Sequence, residues 1–206
     1  HSWLGTAVNE TDEGLEVMYV APDSPAREAG LSQGDVIRRI AGEEASRIED
    51  AQDLLLDRAP GELLPVTWHQ GAQSEGNGDA ADSQDDSDEG RTVTRVLSLG
   101  DRPYSPVEQA LEVQDIADVL PVLYGMNIDE VSRFPWQRQY VIQNVYSGSI
   151  ADETGLSEND PFSLLDWRVN YDRRFVSIQL VIRKRKAGFI ETGIQLTAPL
   201  EPNNFL

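Results

Sequence analysis

Two stretches of alternating apolar and polar residues in the first half of the chain predict a β-hairpin. Residues 64–69 (LPVTWH) and 92–97 (TVTRVL) are rich in β-branched and aromatic side chains, which favour strands. Residues 71–90 contain no large apolar side chain, so they cannot bury enough surface to offset the entropy lost on ordering. We therefore predict one hairpin whose tip carries a disordered acidic insertion at about 71–90.

Helical spacing of apolar residues occurs at two other places. Residues 47–57 place Ala51, Leu54 and Leu55 at positions i, i+3 and i+4, which share one face of a helix. Residues 107–120 also have apolar side chains at nearly helical spacing, and Pro121 is expected to stop that run. The sequence thus predicts one helix in the first half and a connecting helix near the middle.

The segment 101–106 (DRPYSP) is the best candidate for a domain boundary. Two prolines and several polar residues follow the last predicted strand of the first half there. We therefore predict a first domain over residues 1–100, a linker and helix over 101–121, and a second domain over 122–206.

The chain contains an internal repeat over residues 19–37 and 144–162. Each copy has a strand end, a turn with serine, a short helix ending at Gly-Leu, and an acidic turn before another apolar segment. In the first copy Ser24 suits the cap of the helix, Pro25 its first position and Gly30 the left-handed residue that ends it. Ser149 and Gly155 stand at the corresponding places of the second copy, which predicts the same short capped helix in both halves.

Length and charge limit the possible partners. A chain of 206 residues fits two domains of roughly 100 residues each. The formal net charge of -19 argues against binding to nucleic acid or anionic lipid, because both are themselves negatively charged. No stretch approaches the roughly 18 to 20 consecutive apolar residues that a membrane helix needs. We expect no nucleic-acid partner and no membrane span in this chain.

Catalytic and metal chemistry have little support in the sequence. Only His1 and His69 are available for a Ser-His-Asp arrangement, and no Gly-x-Ser-x-Gly nucleophile motif is present. The chain has no cysteine, no His-x-x-x-His spacing, no carboxylate loop with calcium spacing and no glycine-rich phosphate loop. We therefore predict no catalytic residue, no metal and no cofactor.

The first copy of the repeat resembles a known family of domains. The string SPAREAGLSQGDVI at residues 24–37, followed by Ile40-Ala41-Gly42, resembles the bacterial PDZ pattern, and the resemblance covers residues 3–100. It is similar to the PDZ modules that follow the protease domain of HtrA/Deg-type trypsin-like serine proteases. The resemblance implies an α+β fold of two partly open β-barrels or sandwiches with short flanking helices, the second divergent and strand-rich.

PDZ domains hold a peptide carboxy terminus in a loop of pattern X-Φ-G-Φ, in which Φ is apolar. Residues 3–6 (WLGT) match it with threonine in the last place, and residues 123–126 (LYGM) match it fully. Glycine lets backbone N–H groups converge on one carboxylate, and the peptide would then add as a strand beside Thr6, Ala7 and Val8. The expected peptide-binding residues are Leu4, Gly5, Thr6, Val8, Ala51, Leu54 and Leu55, with a possible second loop at Tyr124, Gly125 and Met126.

The small side chain of Ala51 beside Leu55 on the helical groove wall favours a medium or large apolar side chain at the end of the ligand. The second copy departs from the family pattern, because Asn159-Asp160-Pro161 replaces the usual Gly-Asp. Only strand-like segments follow between residues 162 and 197, without a helix for a groove wall. We therefore expect the second domain to have a structural or docking role.

The resemblance implies a peptide-binding regulatory region of a bacterial envelope serine protease that acts in protein quality control. Its partners would be protein C-termini or extended peptides and a protease domain outside this chain. The residues themselves do not fix a localisation, although the resemblance favours the periplasm or cell envelope. The alternatives are a noncatalytic tandem scaffold or self-assembly module, with a possible homo-oligomer, and grooves that are vestigial.

Overall fold

The structure is a computed structural model that describes residues 1–71, 91–134, 137–185 and 189–206. Apart from Gly71, the predicted acidic insertion lies outside the described residues. The chain divides into two compact units, one formed by His1–Tyr104 together with Asn204–Leu206 and the other by Ser105–Asn203. The last three residues of the chain therefore belong to the first unit, which the sequence pattern did not predict.

The first unit is an antiparallel sheet with two helices. The sheet order is β2-β3-β4-β6-β7, with β5 paired to β4, and β1 pairs separately with β8. Its strands are β1 (Ser2–Trp3), β2 (Thr6–Thr11), β3 (Gly14–Val20), β4 (Val36–Ile40), β5 (Glu43–Glu44), β6 (Leu63–His69), β7 (Thr92–Ser98) and β8 (Gly100–Asp101). Helix α1 spans Pro25–Glu28 and α2 spans Ile48–Leu56, so the helix expected over residues 47–57 is confirmed.

The predicted hairpin is also confirmed. Strands β6 and β7 pair antiparallel along their whole length, with Leu63 opposite Ser98 and His69 opposite Thr92. Leu64, Val66 and Trp68 alternate with more exposed neighbours and point into the core, as the period of two requires. This places β2 at one edge of the sheet, where an added strand can pair with it.

The second unit is a five-stranded antiparallel sheet with three helices. The sheet order is β13-β12-β11-β10-β9. The elements are α3 (Pro106–Val113), α4 (Ile116–Tyr124), β9 (Met126–Phe134), β10 (Gln137–Val145), α5 (Ile150–Glu153), β11 (Pro161–Asn170), β12 (Phe175–Arg185) and β13 (Phe189–Pro199). The predicted α+β class is confirmed, and over the described residues both sheets run between two edge strands without closing into a barrel.

The region expected to be a linker and helix differs from the prediction in two ways. Residues 105–121 pack within the second unit, because Val107, Val119 and Leu120 are fully buried there. The expected stop at Pro121 is wrong, since α4 continues through it to Tyr124. The aspartate before α4 starts this helix by accepting a hydrogen bond from the backbone N–H of Ala117 at 3.1 Å. Nearly every side chain of α4 is buried, and that packing outweighs the backbone bond lost at proline.

The repeat forms the same local structure twice. Ser24 Oγ accepts a hydrogen bond from Arg27 N at 3.2 Å, and Ser149 Oγ accepts one from Asp152 N at 3.3 Å. The glycines that end these helices, Gly30 and Gly155, have φ of 83° and 77°. The predicted serine caps and left-handed glycines are therefore confirmed in both halves.

The departure at Asn159-Asp160 preserves the acidic turn. Asp35 Oδ2 accepts a hydrogen bond from Ser32 N at 3.0 Å, and Asp160 Oδ2 accepts one from the equivalent backbone N–H at 3.1 Å. Gly34 has φ of 88° and Asn159 has φ of 64°, a conformation that asparagine tolerates better than most residues. Burial raises the pKa of the Asp35 carboxyl, although backbone hydrogen bonds from Gly71 and Ser32 oppose that shift.

In the described ranges no helix has the length and apolar character needed to cross a membrane.

Candidate peptide-binding groove

The loop at residues 3–6 directs two backbone N–H groups at one oxygen atom. The amides of Leu4 and Gly5 donate hydrogen bonds to the backbone oxygen of Leu206, at 2.9 and 3.0 Å. Gly5 has φ of 87°, a left-handed conformation that turns its amide toward the same point as that of Leu4. The two N–H groups therefore converge on one backbone oxygen, that of Leu206. Consecutive amides arranged in this way can hold an anionic oxygen.

Backbone hydrogen bonds from α1 and from the residues just before it hold this loop in place. The carbonyl of Leu4 accepts a hydrogen bond from Ala26 N at 2.9 Å, and the carbonyl of Gly5 accepts one from Ala21 N at 2.8 Å. A Cβ atom on Gly5 would lie 2.2 Å from Cβ of Ser24, so only glycine fits against this cap. The capped helix predicted from the repeat therefore positions the carboxylate loop.

The final residues of the chain pair with the edge strand β2. Val8 N donates to the carbonyl of Asn204 at 3.0 Å, and Leu206 N donates to the carbonyl of Thr6 at 2.9 Å. Ala7 and Phe205 form an antiparallel bridge between these two bonds. An extended segment thus lies along β2 where the sequence predicted that a ligand strand would add.

Helix α2 forms the opposite wall of the candidate groove, and one hydrogen bond connects each of its ends to a neighbouring strand. At its start, Ile48 N donates to Glu10 Oε1 at 2.8 Å, while Arg47 stands at the cap position without a capping side chain. At its other end, Ser2 Oγ donates to the carbonyl of Leu55 at 2.8 Å. These bonds join the helix to β2 and β1, so the two walls keep a fixed separation.

The wall carries an apolar pocket. The side chain of Leu206 is 2% exposed and belongs to the same buried apolar cluster as Leu4, Ala51 and Leu55. Leu54 is only partly buried and packs against the edge of that cluster. The structure therefore brings all the residues expected for the first groove into one place, around the last residues of the chain.

Several groove residues were not expected from the sequence. Gln52 Nε2 donates to the carbonyl of Phe205 at 3.2 Å. Gln52 lies on α2, and the helical pattern of apolar residues does not mark it as a ligand contact. The ring of Phe205 lies between Trp3 and Tyr19, with ring centroids 6.3 and 6.2 Å apart respectively. Asn204 Nδ2 also approaches Met18 Sδ at 3.7 Å. These contacts lie on two strands and a helix that are distant in sequence, so periodicity cannot reveal them.

The loop at residues 123–126 is built differently. Leu123 and Tyr124 form the last turn of α4, and the amide of Gly125 donates to the carbonyl of Pro121 at 3.0 Å. Tyr124 and Met126 are fully buried, and the Tyr124 hydroxyl donates to the carbonyl of Val176 at 2.9 Å. Burial also raises the pKa of that hydroxyl. Because the Gly125 amide already donates a hydrogen bond at the end of α4, carboxylate binding at this loop is disfavoured.

The second unit also has no counterpart of α2 among its described residues. Strand β11 is joined to β12 by a tight turn at residues 171–174, at the place where the first unit inserts its groove helix. Gly125 still faces the cap of the short helix, since a Cβ on it would lie 2.1 Å from Cβ of Ser149. The described part of the second unit thus retains the loop and helix framework without a second groove wall.

Other candidate chemistry stays separate from the groove. His1 is at the amino terminus, where its carbonyl accepts a hydrogen bond from Arg102 N at 2.9 Å, and His69 lies at the end of β6. Among the described residues, no three histidine or acidic side chains converge as metal ligands would.

The two serine caps differ in burial, which predicts different costs for one substitution. Ser24 is 1% exposed and also donates to the carbonyl of Ala21 at 2.7 Å, whereas Ser149 is partly exposed. We expect Ser24→Ala to lower the free energy of unfolding of its unit by about 1–2 kcal/mol, and Ser149→Ala by about 0.5–1 kcal/mol. Urea unfolding of both variants tests this. An equal cost for the two would show that burial of the cap does not matter.

Comparison with families of known proteins agrees with both halves of the structure. Residues 16–68 match a family model described as a PDZ domain, and residues 107–200 match a model described as a TP0546 family PDZ domain. A search of curated proteins found no match. The first match includes α1, the acidic turn and α2, and the second includes the loop at Gly125 and the helix capped by Ser149. The chain therefore contains two PDZ domains in tandem, a fold that serves as a protein- and peptide-binding module.

Proposed function

We propose that the first PDZ domain binds the free carboxy termini of peptides or proteins in the groove between β2 and α2. The observation that carries this proposal is the pair of amides, on Leu4 and Gly5, that converge on the backbone oxygen of Leu206. A bound peptide would extend β2 as an added strand and leave its last side chain in the pocket at Leu4, Ala51 and Leu55. Leu4, Ala51 and Leu55 belong to one buried apolar cluster, so the preferred terminal side chain is apolar as well.

Titration with one peptide in two forms tests the proposal. A labelled heptapeptide with the sequence Leu-Glu-Pro-Asn-Asn-Phe-Leu is prepared with a free carboxylate and with an amidated end. Hydrogen bonds to a charged oxygen are stronger than those to a neutral one, so we expect amidation, which removes the charge, to weaken binding at least ~10-fold. Fluorescence anisotropy measures both affinities on the Leu206→Asp variant, whose own final residue no longer suits the pocket. Equal affinity of the two forms would refute carboxylate recognition by this loop.

For the second PDZ domain we propose a structural or docking role. This rests on the absence of a groove helix in its described residues and on the internal hydrogen bond of the Gly125 amide. The peptide titration also bears on this proposal, since one binding site per chain is expected. Two equivalent sites would contradict it.

We further propose that the chain serves a protease of the HtrA/Deg type in the bacterial envelope, presenting captured termini to a catalytic domain outside these residues. The support for this is the likeness of residues 24–42 to the PDZ modules of those proteases. A trypsin-like domain with its histidine, aspartate and serine encoded upstream in the same gene is the expected finding. Its absence would favour the scaffold or self-assembly alternative, for which light scattering would show a homo-oligomer.

A further inference from the structure

We propose that the segment Asn204–Leu206 is the internal ligand of the first PDZ domain and closes its groove to the carboxy termini of other molecules. The inference rests on the proposed function, because it names what occupies the same groove. It adds a regulatory consequence, since an external terminus can bind only in the fraction of molecules whose own segment has left.

The backbone of the segment makes the contacts that the proposed function assigns to a bound peptide. Four backbone hydrogen bonds connect it to the loop and to β2, with lengths of 2.9, 3.0, 3.0 and 2.9 Å. Gln52 on α2 contributes a side-chain bond to the carbonyl of Phe205. The segment thus contacts the loop, the edge strand and the helical wall together, so a second peptide strand cannot pair with Thr6 and Val8 while the segment remains there.

The side chains of the segment match the chemistry of their surroundings. Phe205 is 1% exposed and Leu206 is 2% exposed, and they occupy opposite faces of the added strand. Leu206 joins the apolar cluster at α2, while Phe205 packs edge-on against Tyr19 at an interplanar angle of 86° and tilted against Trp3. Burial of both apolar side chains stabilises the docked segment and offsets the entropy lost on ordering its residues.

The covalent connection makes this ligand difficult to displace. Residues 201–203 join the segment to Leu200, whose amide donates to the carbonyl of Arg174 at 2.9 Å within the second unit. A short tether of this kind gives an effective concentration on the order of millimolar. The apparent affinity for an external peptide is reduced by the fraction of molecules with an open groove. A competitor must therefore bind tightly or be present at high concentration.

The decisive experiment compares one labelled peptide on three forms of the chain. The free-acid heptapeptide Leu-Glu-Pro-Asn-Asn-Phe-Leu is titrated onto the full chain, onto Leu206→Asp and onto the matched control Leu165→Asp. Leu165 is 61% exposed on β11, so the control introduces the same charge away from the groove. We expect Leu206→Asp to bind the peptide at least ~10-fold more tightly than the full chain, and Leu165→Asp to bind it as the full chain does. Leu206→Ala replaces Leu206→Asp if the charged variant does not fold.

A second measurement separates failure of this inference from failure of the proposed function. Hydrogen exchange of the Leu206 amide in the full chain should be slow, because that amide donates to the carbonyl of Thr6. Equal peptide affinity for the full chain and Leu206→Asp would overturn the internal ligand while leaving peptide binding intact. If no form binds peptide, the proposed function fails. In that case fast exchange of the Leu206 amide would also overturn docking of the segment. Slow exchange would support docking even without peptide binding. Protection that falls on tenfold dilution would overturn docking within one chain and indicate a segment donated by a second copy.

Discussion

Replacing Gly5 with alanine should destabilise the first PDZ domain by about 3 kcal/mol or more. The new Cβ would lie 2.2 Å from Cβ and 2.7 Å from Oγ of Ser24, closer than side-chain atoms approach one another. The φ of 87° adds the cost of a left-handed conformation for a residue with a side chain, about 1–2 kcal/mol. Relief of the contact requires movement of the cap of α1, to which the loop is bonded, so the loss falls on the whole domain. Urea or thermal unfolding measures it.

Gly61→Ala is the matched control for this substitution. Gly61 has φ of 85°, nearly that of Gly5, but no atom lies within 4 Å of the position that its Cβ would take. We expect it to cost only about 1–2 kcal/mol, the conformational part of the effect. Equal costs for Gly5→Ala and Gly61→Ala would show that the contact with Ser24 contributes nothing.

A double variant checks the same contact from the other side. Ser24→Gly removes the Cβ that Gly5→Ala would meet, and glycine is an acceptable residue at a helix cap. The two substitutions together should therefore cost about 1–2 kcal/mol less than the sum of the single ones. Additive costs would mean that the strain at Gly5 has another origin.

Replacing Tyr124 with alanine should destabilise the second PDZ domain by about 3–5 kcal/mol. The side chain is fully buried, and its hydroxyl donates to the carbonyl of Val176 on β12, so the substitution leaves a large cavity and removes that hydrogen bond. Tyr124→Phe keeps the ring and should cost only about 1 kcal/mol. Hydrogen exchange of the amides in β9 to β12 measures both effects in the domain itself.

Tyr171→Ala is the matched control, because Tyr171 is 64% exposed in the turn between β11 and β12. Its cost should stay within about 0.5 kcal/mol. Peptide binding by the first domain should survive Tyr124→Ala if the second loop has a structural role. Loss of a second peptide site together with little loss of stability would instead support the original expectation that Tyr124 belongs to a ligand loop.

Local chemistry in the sequence was sufficient for the elements of the repeat. A serine cap, proline at the first helical position and a left-handed glycine act over a few residues, so Ser24, Pro25 and Gly30 were readable without any tertiary contact. The alternating strands of the hairpin were readable for the same reason. The prediction that the helix stops at Pro121 was wrong. The unfavourable effect of proline on a helix is local, whereas the burial that keeps α4 continuous depends on the rest of its domain.

The sequence by itself determined the tandem PDZ fold, the residues of the first candidate groove that follow a pattern, and the lack of a groove helix in the described part of the second domain. Tertiary structure alone decided that the Gly125 amide donates within its own fold, that Gln52 and Tyr19 line the first candidate groove, and that Asn204–Leu206 lies in it. Leu4 and Leu206 lie far apart in the sequence but are hydrogen-bonded to each other in the fold. A contact of that kind leaves no periodicity or spacing to read, because it depends on shape and on free backbone donors at the edge of a folded sheet.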